Sequence, residues 1–593
     1  MKAAPSTLTG KDNKFIKIYN IMEEKRYYTV EKAQQIILSL LKAHKIRKVI
    51  ASPGTTNLTL IASMQIDPWF QMYSSVDERS AAYMACGMAA ESGEPVVICC
   101  TEATASRNYM SGLTEAFYRK LPVLAITCNH GAHRVGHNIA QVIDRSVLPN
   151  DIARVSVNIP VVKDNEGIWE CTVKVNKAIN ALRRHGGGPA HINLATGMSR
   201  DYSAQKLTPV RVIRHVTVND AFPKLPDGRI VVIVGSHKRW TKEATEILDC
   251  FCATNDAVVL CDQTSGYKGK YRVFFSMVAS QAQYISPLKK ADLVIHIGEV
   301  SGDYYTLGLG PLSKQVWRVS EDGELKDTMR RLNCVFEMKE TTFFKHYSTE
   351  GANKTDLLKL YQEECERVRK MLPEIPFSNI WIADKVAASL PAWCEVHLGI
   401  LNTLRAWNFT NVPRNVETYC NVGGFGIDGD ISALIGASLV HPEKLYFAVL
   451  GDLAFFYDMN VMGNRHVGNN CRILLINNGR GTEFRNYGHP GRDLGEDADP
   501  FVAAAGHYGN KSPHLVRNYA ESLGYEYMSA SSKEEFLEVY KRFLTPEITD
   551  KPLFFEVFTN TVDEDEALSL VRNCVPKGED EKKPGLFASL FKK

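Results

Sequence analysis

The chain has 593 residues, 45% hydrophobic and 23% charged, a globular composition long enough for about three to four domains. Its 70 basic and 67 acidic residues leave a formal charge of +3, which gives no reason to expect nucleic acid or an anionic membrane as a partner. No apolar run reaches the ~18 residues of a membrane span, and the N-terminus lacks an apolar core of signal-peptide length, so a cytoplasmic protein is expected.

Residues 1–26 read as an N-terminal extension. In 27–205, "VEKAQQIILSLLKAHKI" and "SAAYMACGMAAES" have helical spacing. "KVIASPG", "PVVICCTEA" and "LPVLAITCN" are short apolar runs ending in turns. Such alternation reads as a parallel sheet with helices on both faces. The Pro-punctuated "QKLTPVRVIRHVTVNDAFPKLPDG" reads as a linker. It opens a second α/β segment, 206–375, with "RIVVIVGSHK", "AVVLCDQTSG" and "ADLVIHIGEVSGDY" as strand-then-turn patterns. "GANKTDLLKLYQEECERVRKMLPEIP" closes it as a polar helix expected to lead away. A third α/β segment, 376–575, carries "AWCEVHLGILN", "NVETYCNVGG", "KLYFAVLGD", "CRILLINN" and "PLFFEVFTN". The charged and then amphipathic tail, 576–593, reads as a surface-docked or frayed terminus. The fold class expected is α/β, with three doubly wound parallel-sheet domains. The outer two are of similar length, as an ancient duplication would leave them. The 14 cysteines show no metal-type CxxC pairing and read as reduced, buried thiols.

In a parallel sheet the ligand crevice lies beyond the carboxyl ends of the strands. Asp452 follows the apolar run "YFAVLG", and Asn478 follows "RILLIN". They are 26 residues apart, room for one strand–helix–strand crossover. Singly, an Asp N-cap and an Asn turn are common. Together they put two side-chain oxygens at neighbouring strand tips, and the backbone carbonyl of Arg480 adds a third. A hard cation such as magnesium takes oxygen ligands of this kind and shares them with phosphates and water. The amino end of the helix after Asp452 favours negative charge.

The "GDL…NN" pattern resembles the diphosphate-binding motif of the thiamine diphosphate (ThDP) enzymes. The longer stretch "GIDGDISALIGAS…GDLAFFYDMN…LLINNGRGTEF" most resembles the menaquinone-pathway SEPHCHC synthase branch of that superfamily. "SPGTTNLTL", "YSSVDERSAAYMACGMA" and "PVVICCTEATASRNYMSGLTEAFYRKLPVLAIT" resemble its pyrimidine-binding domain, so the likeness covers most of the chain. The resemblance implies pyrimidine-binding, central and diphosphate-binding domains in that order, with thiamine diphosphate and Mg2+ as cofactors. It implies Asp452, Asn478 and the Arg480 backbone oxygen as metal ligands. Gly451, Leu453 and Ile427 would lie against the cofactor, with Ile427 supporting its bent shape. Glu78 would hydrogen-bond the aminopyrimidine ring and so promote loss of the thiazolium proton. A carboxyl does this best when partly desolvated, and Ala81, Ala82, Ala85 and Ala89 fit such a setting. Gln141 falls where related synthases have an active-site Gln. The implied site is shared between subunits of a homodimer or homotetramer, with Glu78 and Asp452 on different chains.

The chain departs from that branch where the branch holds its anionic substrates. Thr56 in "SPGTTN" and Val422 in "CNVGGFGIDG" stand in the places of two arginines. A dicarboxylic or tricarboxylic substrate needs such bidentate cations. Glu102 and Ala103 occupy a loop where small residues are usual. Glu483 replaces an apolar residue near the substrate. Thr55, Asn57, Arg107 and His137 are further candidates for substrate contact, with His130, His133, Arg480, Arg485 and His489 as other polar groups. The middle domain lacks GxGxxG after "VVIVG" and is expected to be structural.

The expected activity is decarboxylation of a 2-oxo acid, with transfer of the acyl-anion equivalent to a carbonyl or alkene acceptor. The polar pocket points to a hydroxylated acceptor, a sugar or cell-envelope precursor. A simple 2-oxo-acid decarboxylase and a SEPHCHC synthase with relocated arginines are alternatives. A non-catalytic ThDP-binding homologue is an alternative of another class, and retention of Glu78 beside Asp452 and Asn478 speaks against it.

Overall fold

The computed structural model describes residues 26–507 and 511–577. The expected extension before Arg26 and the tail from 578 onward lie outside those residues. The chain falls into two compact units, the first ending at His215 and the second starting at Val216. Among the described residues no helix is long and apolar enough to cross a membrane.

In the first unit, β1 (Lys48–Ala51), β2 (Gln71–Ser74), β3 (Val96–Cys100), β4 (Val123–Asn129), β5 (Val155–Ile159) and β6 (Ala190–Ala195) form a parallel sheet in the order β2-β1-β3-β4-β6-β5. Successive side chains of a strand point to opposite faces. Val49, Val97 and Leu124 therefore join one core cluster, while Ile50, Ile98 and Ala125 join another. With both faces covered, the inner strands are apolar throughout, which made them visible as short apolar runs.

The central sheet has β7 (Arg214–Thr217), β8 (Ile230–Val234), β9 (Ala257–Cys261), β10 (Arg272–Val273), β11 (Leu293–Ile297), β12 (Gln315–Ser320) and β13 (Leu332–Glu337), in the order β10-β9-β8-β11-β12-β13-β7. The third sheet has β14 (Glu395–Leu398), β15 (Glu417–Cys420), β16 (Tyr446–Gly451), β17 (Cys471–Asn477), β18 (Glu526–Ala530) and β19 (Leu553–Phe558), in the order β15-β14-β16-β17-β19-β18. Position by position, this is the wiring of the first sheet. The α/β architecture with three parallel sheets is thus the expected one.

Two expectations are corrected. The stretch read as a linker contains a strand, β7, and the segment before it is pinned. Asn176, fully buried, donates from Nδ2 to the Arg211 carbonyl (3.0 Å) and accepts from the Ile213 N–H (2.9 Å). The polar helix Asp356–Lys370 does not lead away. It lays Leu357, Leu358, Tyr361 and Val368 inward, and the Tyr361 hydroxyl donates to the Leu288 carbonyl at 2.6 Å. A narrow apolar stripe suffices to dock a helix whose other positions are charged.

Candidate active site

The strands β16 and β17 are parallel neighbours, with Gly451 level with Ile476. Their carboxyl tips therefore lie side by side. Asp452 is the first residue of the helix Asp452–Asp458, and the capping position is Gly451, which offers no side chain. The Asp452 side chain is thus not the helix cap. It is 4% exposed, and burial lifts its pKa to about 6. Backbone N–H groups of Leu453 (2.9 Å), Gly479 and Arg480 pull it back only in part.

The two asparagines after β17 do different work. Asn477 is buried; its Nδ2 donates to Glu556 Oε1 (2.7 Å), and its Oδ1 accepts from the Gly479 N–H (3.2 Å). It shapes the turn, with Gly479 at φ +76° where a side chain would be strained. Asn478 has no such partner, and its Oδ1 is buried and unsatisfied. Thr482 Oγ1, Asn486 Oδ1 and Arg480 Nε on the same loop are also buried without partners. Native proteins satisfy buried polar atoms with protein, water or ligand. A buried carboxylate with no cation against it, next to orphaned oxygens, suits a hard metal ion. Among the described residues no group of three or more His, Cys, Asp or Glu could hold a metal. A magnesium site here must draw on amide and backbone oxygens as well. The Arg480 carbonyl already accepts from the Thr482 N–H (2.9 Å) and keeps a second lone pair.

Beside this loop lies a charged pair that the sequence did not reveal. Arg405 donates from Nη1 and Nη2 to the two oxygens of Glu483, each at 2.8 Å. Both side chains are mostly buried, and Glu483 holds the Arg405 guanidinium more firmly charged against the opposing effect of burial. Arg405 sits on the short helix Asn402–Asn408, entered through Leu401 at φ +66°, a costly backbone for a branched residue. Asp430, three residues after Ile427, is also buried; desolvation and then Asp458 push it up to about 7. Ile427 itself is partly buried against the core of the third sheet.

In the first unit Glu78 opens the helix Glu78–Ser92 and Asp77 caps it, accepting from the Arg79 N–H (2.9 Å) and the Ser80 N–H (3.3 Å). Glu78 is half-buried, and its Oε2 accepts from Asn108 Nδ2 at 3.1 Å. The alanines expected around it are elsewhere: Ala81, Ala82, Ala85 and Ala89 fill the core beneath the helix. Gln141 is exposed in a turn at φ +68°. Thr55 and His137 are exposed, and Arg107 donates to the Asp144 carbonyl at 2.9 Å.

Three substrate candidates do not fit that role as placed. Thr56 is fully buried and donates to the Cys128 carbonyl at 3.0 Å. Asn57 is buried and donates to the Ser52 carbonyl at 2.8 Å. Val422 is 2% exposed and lies, like Leu404, against Gly302. A threonine or valine at an arginine's place is short enough to turn inward, where an arginine must reach solvent or an anion.

Residues 31–148 match the family described as thiamine pyrophosphate enzyme, N-terminal TPP binding domain. Fold, strand-tip oxygens and this match together define a thiamine diphosphate-dependent enzyme of the decarboxylase and carboligase kind, which uses thiamine diphosphate with a divalent metal such as Mg2+. Three relatives extend the likeness over most of the chain, each named 2-succinyl-5-enolpyruvyl-6-hydroxy-3-cyclohexene-1-carboxylate synthase. That of Bacteroides fragilis (strain ATCC 25285) is 30% identical over 548 residues, 88% of this chain and 95% of its own. That of Bacteroides thetaiotaomicron is 29% identical over 540 residues, with the same coverage. That of Flavobacterium johnsoniae is 26% identical over 564 residues, 90% of this chain and 96% of its own. The chain belongs to this synthase branch of the ThDP enzymes.

Removing Glu483 leaves Arg405 mostly buried without its ion-pair partner, which costs about 3–5 kcal/mol. Glu483→Ala should lower the urea midpoint accordingly, and added succinate should restore part of it by supplying a carboxylate. A midpoint unchanged by the substitution would show that the pair contributes nothing.

Proposed function

We propose that this chain decarboxylates a 2-oxo acid and joins the remaining acyl unit to an acceptor, the kind of reaction for which its relatives are named. The observation that carries this reading is the orphaned Asn478 oxygen beside the buried Asp452 carboxylate. Asp452, Asn478 and the Arg480 carbonyl hold the magnesium ion, and Gly451 and Leu453 line the diphosphate. Ile427 would lie against the cofactor. Bound ThDP supplies the electron sink for decarboxylation. Glu78 holds and moves a proton at the aminopyrimidine, and Asn108 orients its carboxylate. Gln141, in its exposed turn, is the second catalytic candidate.

The two halves of the site come from different subunits of a homodimer. Support comes from the surroundings of Glu78. Val76 and Tyr83, 78% and 48% exposed, flank a carboxylate that one chain leaves half-buried. A second subunit would cover these apolar groups and supply the desolvation that proton transfer needs. The 14 free cysteines support a reducing, cytoplasmic setting.

The 2-succinyl group in the relatives' name is what decarboxylation of a five-carbon 2-oxo diacid leaves, so 2-oxoglutarate is the first donor to test. A second reading concerns the acceptor. Thr56 and Val422 are turned inward, and Arg405 is saturated by Glu483. Fewer free guanidiniums favour an acceptor with hydroxyls in place of carboxylates, such as a sugar or cell-envelope precursor.

With ThDP and magnesium, the protein should release CO2 from at least one of 2-oxoglutarate, pyruvate and their longer analogues. Glu78→Gln should cut release by about 10²-fold or more, the scale of general acid–base catalysis. Wild-type turnover in that variant would remove Glu78 from the reaction.

A proton on Asp452 competes with the metal. The group is raised to about 6 in the cofactor-free fold, so its ionised form destabilises that fold increasingly as pH rises to about 6. A cation offsets this penalty only where the carboxylate is ionised. Thermal stabilisation by ThDP and magnesium should therefore be full near pH 7.5 and fade as pH falls through about 6. Asp452→Ala should show none at any pH.

Mixing inactive Glu78→Gln and Asp452→Ala subunits should restore activity to about a quarter of wild type, because half the dimers then hold one intact site of two. No recovery after verified subunit exchange would place both halves in one chain.

A further inference from the structure

The first unit holds a cavity of about 680 Å³ at the carboxyl ends of β4, β5 and β6. Glu78 follows β2, three to five strands away in the same sheet, roughly 14–24 Å at about 4.8 Å per strand. Val135, Val142, Ile143, Ile159 and Val161 give the cavity apolar walls. Of the charged residues in this lining, two are buried. Arg145 is 3% exposed and Glu102 2% exposed.

Neither charge is satisfied. Arg145 donates from Nη2 to the Cys128 carbonyl at 3.3 Å, a long bond, while its Nε and Nη1 are buried without a partner. Glu102 spends Oε1 on His130 Nδ1, and its Oε2 is buried without a partner. The two residues feel each other's charge yet do not touch. His130 occupies one oxygen of the Glu102 carboxylate. A buried guanidinium with most of its hydrogen-bonding capacity open is among the costliest arrangements a fold can carry. It becomes favourable when an anion enters and accepts those bonds in a desolvated setting.

We infer that this cavity binds a small monocarboxylate with an apolar body, its carboxylate held by Arg145 and its body lying against the valine and isoleucine walls. Glu102, anchored by His130, tunes the site by like-charge repulsion and so limits how tightly the anion is held. The inference concerns binding alone and stands whether or not the turnover reading above is right.

The test is calorimetric titration of the full chain, loaded with ThDP and magnesium, using benzoate and its neutral isostere benzamide. Wild type should bind benzoate, and benzamide at least about tenfold more weakly, since a charged partner is worth more than a neutral one in a buried site. Arg145→Met should lose at least about tenfold in benzoate affinity, and Glu102→Gln should bind it more tightly. Should Arg145→Met fail to fold, Ile143→Trp fills the cavity from its loop with Arg145 intact, and should abolish binding. Absence of benzoate binding to wild type at millimolar concentration would overturn the inference. So would unchanged affinity in Arg145→Met, or in Ile143→Trp.

Discussion

Asp452 sits at the tip of β16, 4% exposed, with no cation against it, and burial lifts its pKa to about 6. A carboxylate in that position raises the free energy of the empty fold unless a positive charge joins it. Much around it follows from this constraint. The parallel pairing of β16 with β17 brings a second oxygen level with it, and the Asn477–Glu556 hydrogen bond frees Asn478 to keep that oxygen unpartnered. The glycines that follow let backbone N–H groups close in on the carboxylate without a side chain in the way. Folding alone does not relieve the cost of burying it.

The identical strand order of the outer sheets gives this arrangement a counterpart. By position, β3 and β4 correspond to β16 and β17. Where the third sheet leaves Asp452 and Asn478 open, the first places Glu102 and His130 after the equivalent strands and joins them to each other. One pair of strand tips is thus arranged to take a cation. The other carries its own acid–base pair and leaves the nearby Arg145 in need of an anion. A shared topology fixes where ligands can approach, while side chains decide their sign.

Charge pairing also bears on which anions the loop after β17 can hold. Arginines act on carboxylates only when their donors are free. Arg405 has a partner in Glu483, and the positions at Thr56 and Val422 have turned into the interior. An anion that used Arg405 would first have to displace Glu483.

The cofactor class was legible in the sequence because its signals are local. Buried parallel strands are apolar along their whole length, so their ends are visible, and Asp452 and Asn478 sit at two such ends within one crossover. Composition misled where a narrow stripe decides, as in the helix Asp356–Lys370, whose four inward residues are hidden among charges. The three-sheet architecture and the strand-tip residues are thus what the sequence determined by itself. Tertiary structure alone decided which charges are free. Arg405 meets Glu483 across 78 residues, and Glu102 meets His130 rather than Arg145. The reason is physical: strand tips are set by hydrophobic periodicity along the chain, whereas ion pairing depends on distances that exist only once the sheets have packed.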